Sequence, residues 1–192
     1  MLIDTCFLYT ADDGVSVKTS GQSRITGDAE RITVRNSVFI SGVSCTKIGN
    51  ESFTGSMRDI LFENNDILEA RRAFIISIMD GHEYRNLRFI DNRIEKLLPG
   101  RTQFPVHVHI RRRSPTGEAG RIHNIIFQNL SVEEEYPQPS KLTGLTAQDD
   151  VSGIHFVNYT IAGRVRLNAA DANVEIGPFV SDVTFSAAPV SP

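Results

Sequence analysis

The chain has 192 residues, enough for one domain with a sizeable core. Its net charge of −3 and pI of about 5.9 give no global basic field, so nucleic acid is not an expected partner. No run of about 18 apolar residues occurs, so no spanning helix is expected, and no membrane partner.

The opening MLIDTCFLYT has no charged n-region and no cleavage site, so it does not read as a signal peptide. Cys6 and Cys45 sit in unlike strand contexts; two buried free thiols are expected rather than a disulfide, and the pair does not fix the redox compartment.

From the N-terminus onward one strand pattern recurs. LIDTCFL is a clipped copy, RITVRNSVFI (31–40) a full one, and DILFENNDIL (59–68) and NLRFIDNRIE (86–95) repeat it. NIIFQNLSV (124–132), GIHFVNYTI (153–161) and DVTFS (182–186) complete the series. The apolar anchors read as Leu2, Val34, Phe62, Phe89, Phe127, Phe156 and Phe185. Two residues after each comes Asp4, Asn36, Asn64, Asp91, Asn129, Asn158 and finally Ala187. A polar side chain at the same bend of successive coils forms a ladder, bonding to its neighbours above and below and satisfying buried turn groups. Around the anchors the pattern alternates, with Ile32, Val34 and Val38 inward and Thr33 and Arg35 outward. No segment has helical periodicity. The pattern predicts an all-β chain, a right-handed parallel β-helix (solenoid) of about seven coils, with residues 1–192 as one domain lacking an N-terminal cap.

A second strand follows each bend: GVSVK (14–18), CTKIG (45–49), AFIISIM (73–79), PVHVHIR (105–111), a shorter KLTGL (141–145) and GRVRL (163–167). Val15, Val17, Thr46, Ile48, Phe74, Ile76, Ile78, Val106, Val108, Ile110, Val165 and Leu167 are expected inward. Ser16, Lys18, Lys47, Ser77, His107, His109, Arg111, Arg164 and Arg166 then point outward, and coils about 4.8 Å apart stack them into a cationic stripe. Such a stripe is either a solvated face or a groove for an anionic or polyhydroxylated chain. His107, His109 and Arg111 alternating on one strand favour the groove. No carboxylate or thiol lies at ligand spacing beside the histidines, so neither a metal nor another cofactor is expected.

Before the first of these strands stands TADDGVSVKTSG (10–21), whose Asp12-Asp13 doublet has the two carboxyls that glycoside hydrolysis needs, one to protonate the leaving oxygen and one to activate water. ADDGVSVK resembles the Asp-Asp motif of the polygalacturonase and the dextranase and isopullulanase families of glycoside hydrolases, which share the pectin-lyase-like β-helix. The resemblance implies Asp12 as general acid and Asp13 as base, in inverting hydrolysis of a polysaccharide. Val43-Ser44-Cys45 stands where polygalacturonases carry Gly-His-Gly, and Ile75-Ile76-Ser77 where they carry Arg-Ile-Lys. Their further Asp, about twenty residues before the doublet, has no counterpart here. The likeness thus covers most of the chain as fold and only the doublet as chemistry.

Lys18, Lys47, Glu51, Asp80, His82, His107, His109 and Arg111 are the candidate substrate-binding residues, although Gly-Asn and Asp-Gly in KIGNES and MDGHE equally suit turns. There is no Trp; Tyr9, Tyr84, Phe53 and Phe104 are the aromatic rings able to stack on a sugar. Glu133, Glu134 and Glu135 read as a solvated loop.

Two readings stand: the C-terminal portion of a polysaccharide hydrolase, weakly active by itself, or a non-catalytic glycan-binding or structural module of the surface or tailspike kind. In both the partner is a polysaccharide, with uronic acids favoured by the cationic stripe. A full-length parent is expected outside the cytoplasm or in the periplasm; the compartment of this chain is not fixed. A homo-oligomer or a preceding segment is expected to cover the open first coil.

Overall fold

The computed structural model describes residues 1–19, 27–50, 52, 55–79, 82–100, 102–112 and 119–187, and among them there is no helix. The first coil holds β1 (Leu2–Asp4), β2 (Phe7–Thr10) and β3 (Val15–Val17); the second β4 (Ala29–Arg35), β5 (Val38–Ser41) and β6 (Ser44–Gly49). The third holds β7 (Met57–Glu63), β8 (Asp66–Ala70) and β9 (Arg72–Met79); the fourth β10 (Glu83–Ile90), β11 (Arg93–Leu97) and β12 (Phe104–Arg111). The fifth holds β13 (Arg121–Gln128), β14 (Ser131–Val132) and β15 (Ser140–Thr143). The sixth holds β16 (Val151–Val157), β17 (Thr160–Ile161), β18 (Arg164–Val165) and β19 (Val174–Ile176), and β20 (Val180–Ser186) closes the stack. Three sheets result, with orders β1-β4-β7-β10-β13-β16-β20, β2-β5-β8-β11-β14-β17-β18 and β3-β6-β9-β12-β15-β19. This is a parallel β-solenoid of six turns and a seventh strand, close to the seven coils expected.

The core is a column. Ile3, Val34, Phe62, Phe89, Phe127, Phe156 and Phe185 occupy one register position of the first sheet. The phenylalanines stack nearly parallel, with centroids 5.5, 4.8, 5.1 and 4.7 Å apart in succession. That spacing is the strand repeat itself, so one residue type placed once per coil fills the core in register. The first anchor is Ile3 rather than Leu2, which is 57% exposed. Val38, expected inward, lies half-buried while Phe39 takes the core position, because the corner before β5 changes the phase of the alternation.

Two polar ladders run along the corners. The left-handed bend is occupied by Thr5, Asn36, Asn64, Asp91, Asn129 and Asn158, all at φ between 51° and 56°. Asn tolerates this region better than most residues. Each amide donates one coil back: Asn36 to Asp4 (2.9 Å), Asn64 to Asn36 (2.8 Å), Asn129 to Asp91 (2.6 Å) and Asn158 to Asn129 (2.9 Å). An ionised Asp has no proton to give, so the series breaks between Asn64 and Asp91. Arg93 spans the break, donating to the Asn64 amide oxygen and the Asp91 carbonyl, each at 3.0 Å. Arg35 and Asn36 hold the Asp4 carboxyl below its ordinary range.

This ladder was expected to satisfy buried turn groups, yet Asn36 and Asn64 are exposed. The buried amides are the next residues. Asn65 donates to the Val34 carbonyl (3.1 Å) and to Asn92 (2.9 Å), and Asn92 donates to the Phe62 and Ile90 carbonyls (2.9 and 3.0 Å). Five residues before Asn36, Asn64, Asp91, Asn129, Asn158 and Ala187 lies another left-handed position, Arg31, Asp59, Asn86, Asn124, Gly153 and Asp182. There Asn86 donates to Asp59 (2.9 Å) and Asn124 to Asn86 (2.7 Å).

The end of the stack departs from expectation. Residues 163–167 do not enter the third sheet; β18 folds back antiparallel on β17, and β19 takes the place foreseen for it. Ala162 and Gly163, at φ 49° and 72°, make the two-residue turn that reverses the chain. Val165 and Leu167 are consequently 41% and 56% exposed. Cys6 is also exposed; Cys45 is buried, and both are free thiols.

Candidate functional site

The third sheet presents its outer face in rows. Ser16, Lys47, Ile75, His107, Lys141 and Glu175 share one row, and Gly49, Ser77, His109 and Thr143 the next outward row. The expected inward residues of β3, β6, β9 and β12 are all buried. The outer rows are not a flat stripe. Residues ahead of β12 and β15 rise beside them, and Gln138 ties these two segments together, accepting from the Gln103 amide (3.2 Å) and donating to the Gly100 carbonyl (2.7 Å).

The result is a groove of about 420 Å³ crossing four coils. Its floor holds Ile75, His107 and His109, its sides Phe104, Thr102, Gln138 and Pro139, and its cations are Lys47, Arg72, Arg111 and Lys141. No carboxylate is among the described lining residues.

The imidazoles form the centre. The rings of His107 and His109 lie 4.3 Å apart, and Phe104 meets His107 edge-on at 5.0 Å. The Ser77 hydroxyl and His109 Nε2 share a hydrogen bond of 2.7 Å. Nδ1 of His109 is buried without a hydrogen-bond partner. Burial first, then the charges of Arg111, Arg72 and Lys141, push His107 down to about 4. Burial, His107, Arg111 and Arg72 depress His109 further. Both rings are therefore neutral at pH 7, and the fixed charge of the groove resides in the guanidiniums and ammoniums.

Of the two lysines, Lys47 pairs with Asp13 at 2.6 Å, largely out of water, and Lys141 pairs with Glu175 at 2.9 Å near the surface. Arg111 has no ion pair among the described residues, and Arg72 Nε is a buried donor without a partner. Burial lowers the Arg72 pKa against the opposing charges of Asp13 and Asp12; a guanidinium stays charged nonetheless.

The doublet is divided. Burial would raise the Asp13 carboxyl, but Lys47, Ser44 and Arg72 outweigh it and hold the group below the usual carboxylate range. Asp12 is exposed, and its carbonyl accepts from the Ser41 (2.7 Å) and Thr10 (3.0 Å) hydroxyls. Neither aspartate lines the groove.

Among the binding candidates, the groove brings together Lys47, His107, His109 and Arg111. Lys18 is exposed just beyond β3, outside the lining. His82 stands at the return to the first sheet, where its carbonyl accepts from the Arg121 amide at 2.8 Å. Gly120 presses on that carbonyl so closely that a Cβ would lie 1.3 Å from it. Glu51, Asp80 and Phe53 lie outside the described residues. Of the aromatic candidates, Phe104 lines the groove, Tyr9 is 77% exposed, and Tyr84 is fully buried and unable to meet a ligand. Arg164 and Arg166 belong to the end of the second sheet, where both pair with Glu135.

Arg72 and Lys141 were missed from the sequence. Arg72 directly precedes the segment read as a strand, and Lys141 opens the short KLTGL. The phenylalanine register does not place Lys141 opposite His107, because the connections ahead of β12 and β15 differ in length; only the sheet pairing brings the two together.

Among its described lining residues the groove presents cations, two imidazoles and a phenylalanine, and no pair of carboxylates. Ser77 is 1% exposed, so the Ser77–His109 contact offers no reachable nucleophile. No cluster of three His, Cys, Asp or Glu side chains among the described residues is arranged to hold a metal ion. No protein-family model matches the chain, and neither does any curated protein or solved structure.

Proposed function

We propose that this chain is a non-catalytic glycan-binding β-solenoid, and that the groove over β6, β9, β12 and β15 takes a polysaccharide carrying uronic acids. One observation carries the reading: four cations and an aromatic ring line a groove without a carboxylate among its described residues. Arg72 and Arg111 supply planar donors suited to a sugar carboxylate, and the half-buried His107 ring, braced edge-on by Phe104, supplies flat surface for a pyranose face. Four coils about 4.8 Å apart give a run of roughly 15 Å, the length of a short oligosaccharide.

The rival reading, hydrolysis with Asp12 as acid and Asp13 as base, draws on the doublet's position before β3. Against it stand the Asp13–Lys47 pair, which makes Asp13 a weaker base, and the absence of both carboxylates from the groove. Titration of the chain with galacturonic-acid oligosaccharides and with dextran oligosaccharides, alongside an assay for released reducing ends, separates the two. Saturable binding of the acidic glycan without release, weakened about tenfold or more in Arg111→Ala and unchanged in Asp12→Asn, is expected. Release that is lost in Asp12→Asn would establish the hydrolase instead.

A further inference from the structure

We infer that anion binding in the groove is coupled to proton uptake: an anionic group seated between the His107–His109 pair and the guanidiniums of Arg72 and Arg111 binds together with one proton shared by the two imidazoles, so mild acid tightens it. The inference rests on the anionic-glycan reading of the same groove.

The geometry leaves one imidazole nitrogen unpaired. His109 is 6% exposed and borders the groove; its Nε2 is occupied by Ser77, while its buried Nδ1 has no partner. Buried polar atoms without partners are uncommon and call for an explanation such as a bound ion or ligand.

The charges facing the pair come from every neighbouring strand. Lys47 on β6 is neutralised by Asp13, and Lys141 on β15 by Glu175. Arg72 on β9 and Arg111 on β12 have no ion pair within the groove. The unbalanced charge around the imidazoles is thus positive, and a proton there meets like charge as well as burial. These are the causes that hold His107 near 4 and His109 lower.

A bound carboxylate reverses the electrostatic part. It cancels guanidinium charge and offers an acceptor to a protonated ring. Two imidazoles 4.3 Å apart do not both charge, so one proton belongs to the pair. A ligand that raises a proton's affinity is itself bound more tightly as pH falls, by up to about tenfold per pH unit for one fully coupled proton.

The test is calorimetric titration of the whole chain with a galacturonic-acid oligosaccharide, in two buffers of different ionisation enthalpy, at about pH 5.5 and about pH 7.5. The expected result is a buffer-dependent heat reporting proton uptake at the lower pH, with affinity there severalfold or more tighter. The buffer dependence should vanish in His107→Gln/His109→Gln; the wild-type comparison stands even if that variant folds poorly. Binding with equal affinity at both pH values and buffer-independent heats would overturn the coupling and leave the glycan reading intact. Inorganic sulfate is titrated in parallel. Proton-coupled sulfate binding without glycan binding would uphold the coupling and overturn the glycan reading, and binding of neither would overturn both.

Discussion

Asn36 and Asn92 are both corner amides, and the fold asks different things of them. Asn36 is exposed on the outer ladder, where water can replace a lost partner. Asn92 is buried, bonded to two carbonyls and accepting from Asn65. Removing it strands several backbone groups away from water. Asn92→Ala should cost on the order of 3 kcal/mol in urea unfolding, and Asn36→Ala about 1 kcal/mol or less. Equal costs would mean that the buried ladder does not anchor the corner. Sequence spacing revealed the outer ladder because one amide or acid recurs two residues after an anchor. It did not reveal the inner one, because among Ser37, Asn65, Asn92, Leu130 and Tyr159 the amide recurs only at Asn65 and Asn92.

The imidazoles make a second prediction at this scale. His107 titrates near 4 in the fold against an ordinary value of 6.5. Between those values the unfolded chain binds more protons than the folded one, so stability is full above 6.5 and falls as pH drops toward 4. The loss from this one ring is on the order of 3 kcal/mol. His107→Gln should flatten that part of the urea-midpoint profile. An unaltered acid dependence would show that the ring is not held neutral by its surroundings.

At the scale of elements, the phenylalanine column sets the register on which the groove depends. Phe89 stacks against Phe62 and Phe127 and packs on Phe74, so it joins the first sheet to the back of β9. Phe89→Ala should cost about 3–5 kcal/mol in chemical denaturation. A loss below about 1 kcal/mol would mean that neighbouring coils refill the space. Gly49 is a second control point. At φ 92° and with Ser77 carbonyl 2.1 Å from where a Cβ would sit, it lets β6 lie close against β9. The strands were legible because apolar residues recur once per coil. The Leu2 anchor slipped by one residue because a three-residue strand carries too little alternation to fix its own phase. GRVRL misled for another reason: its alternation suits any strand, and only the Ala162-Gly163 turn decides that β18 runs back along β17.

For the whole molecule, exposure of large apolar side chains is concentrated at the ends. Among the described residues, Met1, Leu2, Phe7 and Tyr9 lie on the first coil and Val165, Leu167, Ile176 and Phe179 on the last. We propose that the first and last coils associate in solution, because their unpaired parallel strand edges, flanked by these outward apolar side chains, seek cover. Sedimentation of the 192-residue chain should show concentration-dependent assembly, weakened by Phe7→Ser/Tyr9→Ser. A monomer at all concentrations would dismiss the proposal. The groove lies away from both ends, on coils whose neighbours are all present.

The groove was partly legible in advance. Alternation on β12 pointed to His107, His109 and Arg111 because a strand sends every second residue outward. Most of its walls were not, because Thr102, Gln138 and Pro139 take their places from loop geometry that no strand period encodes. The doublet attracted notice by its chemistry, and its pairing with Lys47 became visible only when the coils were stacked. The most direct measurement of the groove's role is therefore residue-resolved: amide chemical shifts of the chain recorded as a galacturonic-acid oligosaccharide is added. Saturable shifts confined to Lys47, Arg72, Phe104 to Arg111 and Lys141 are expected. Shifts centred on Asp12 and Asp13, or none at saturating oligosaccharide, would contradict a glycan site on this face of the solenoid.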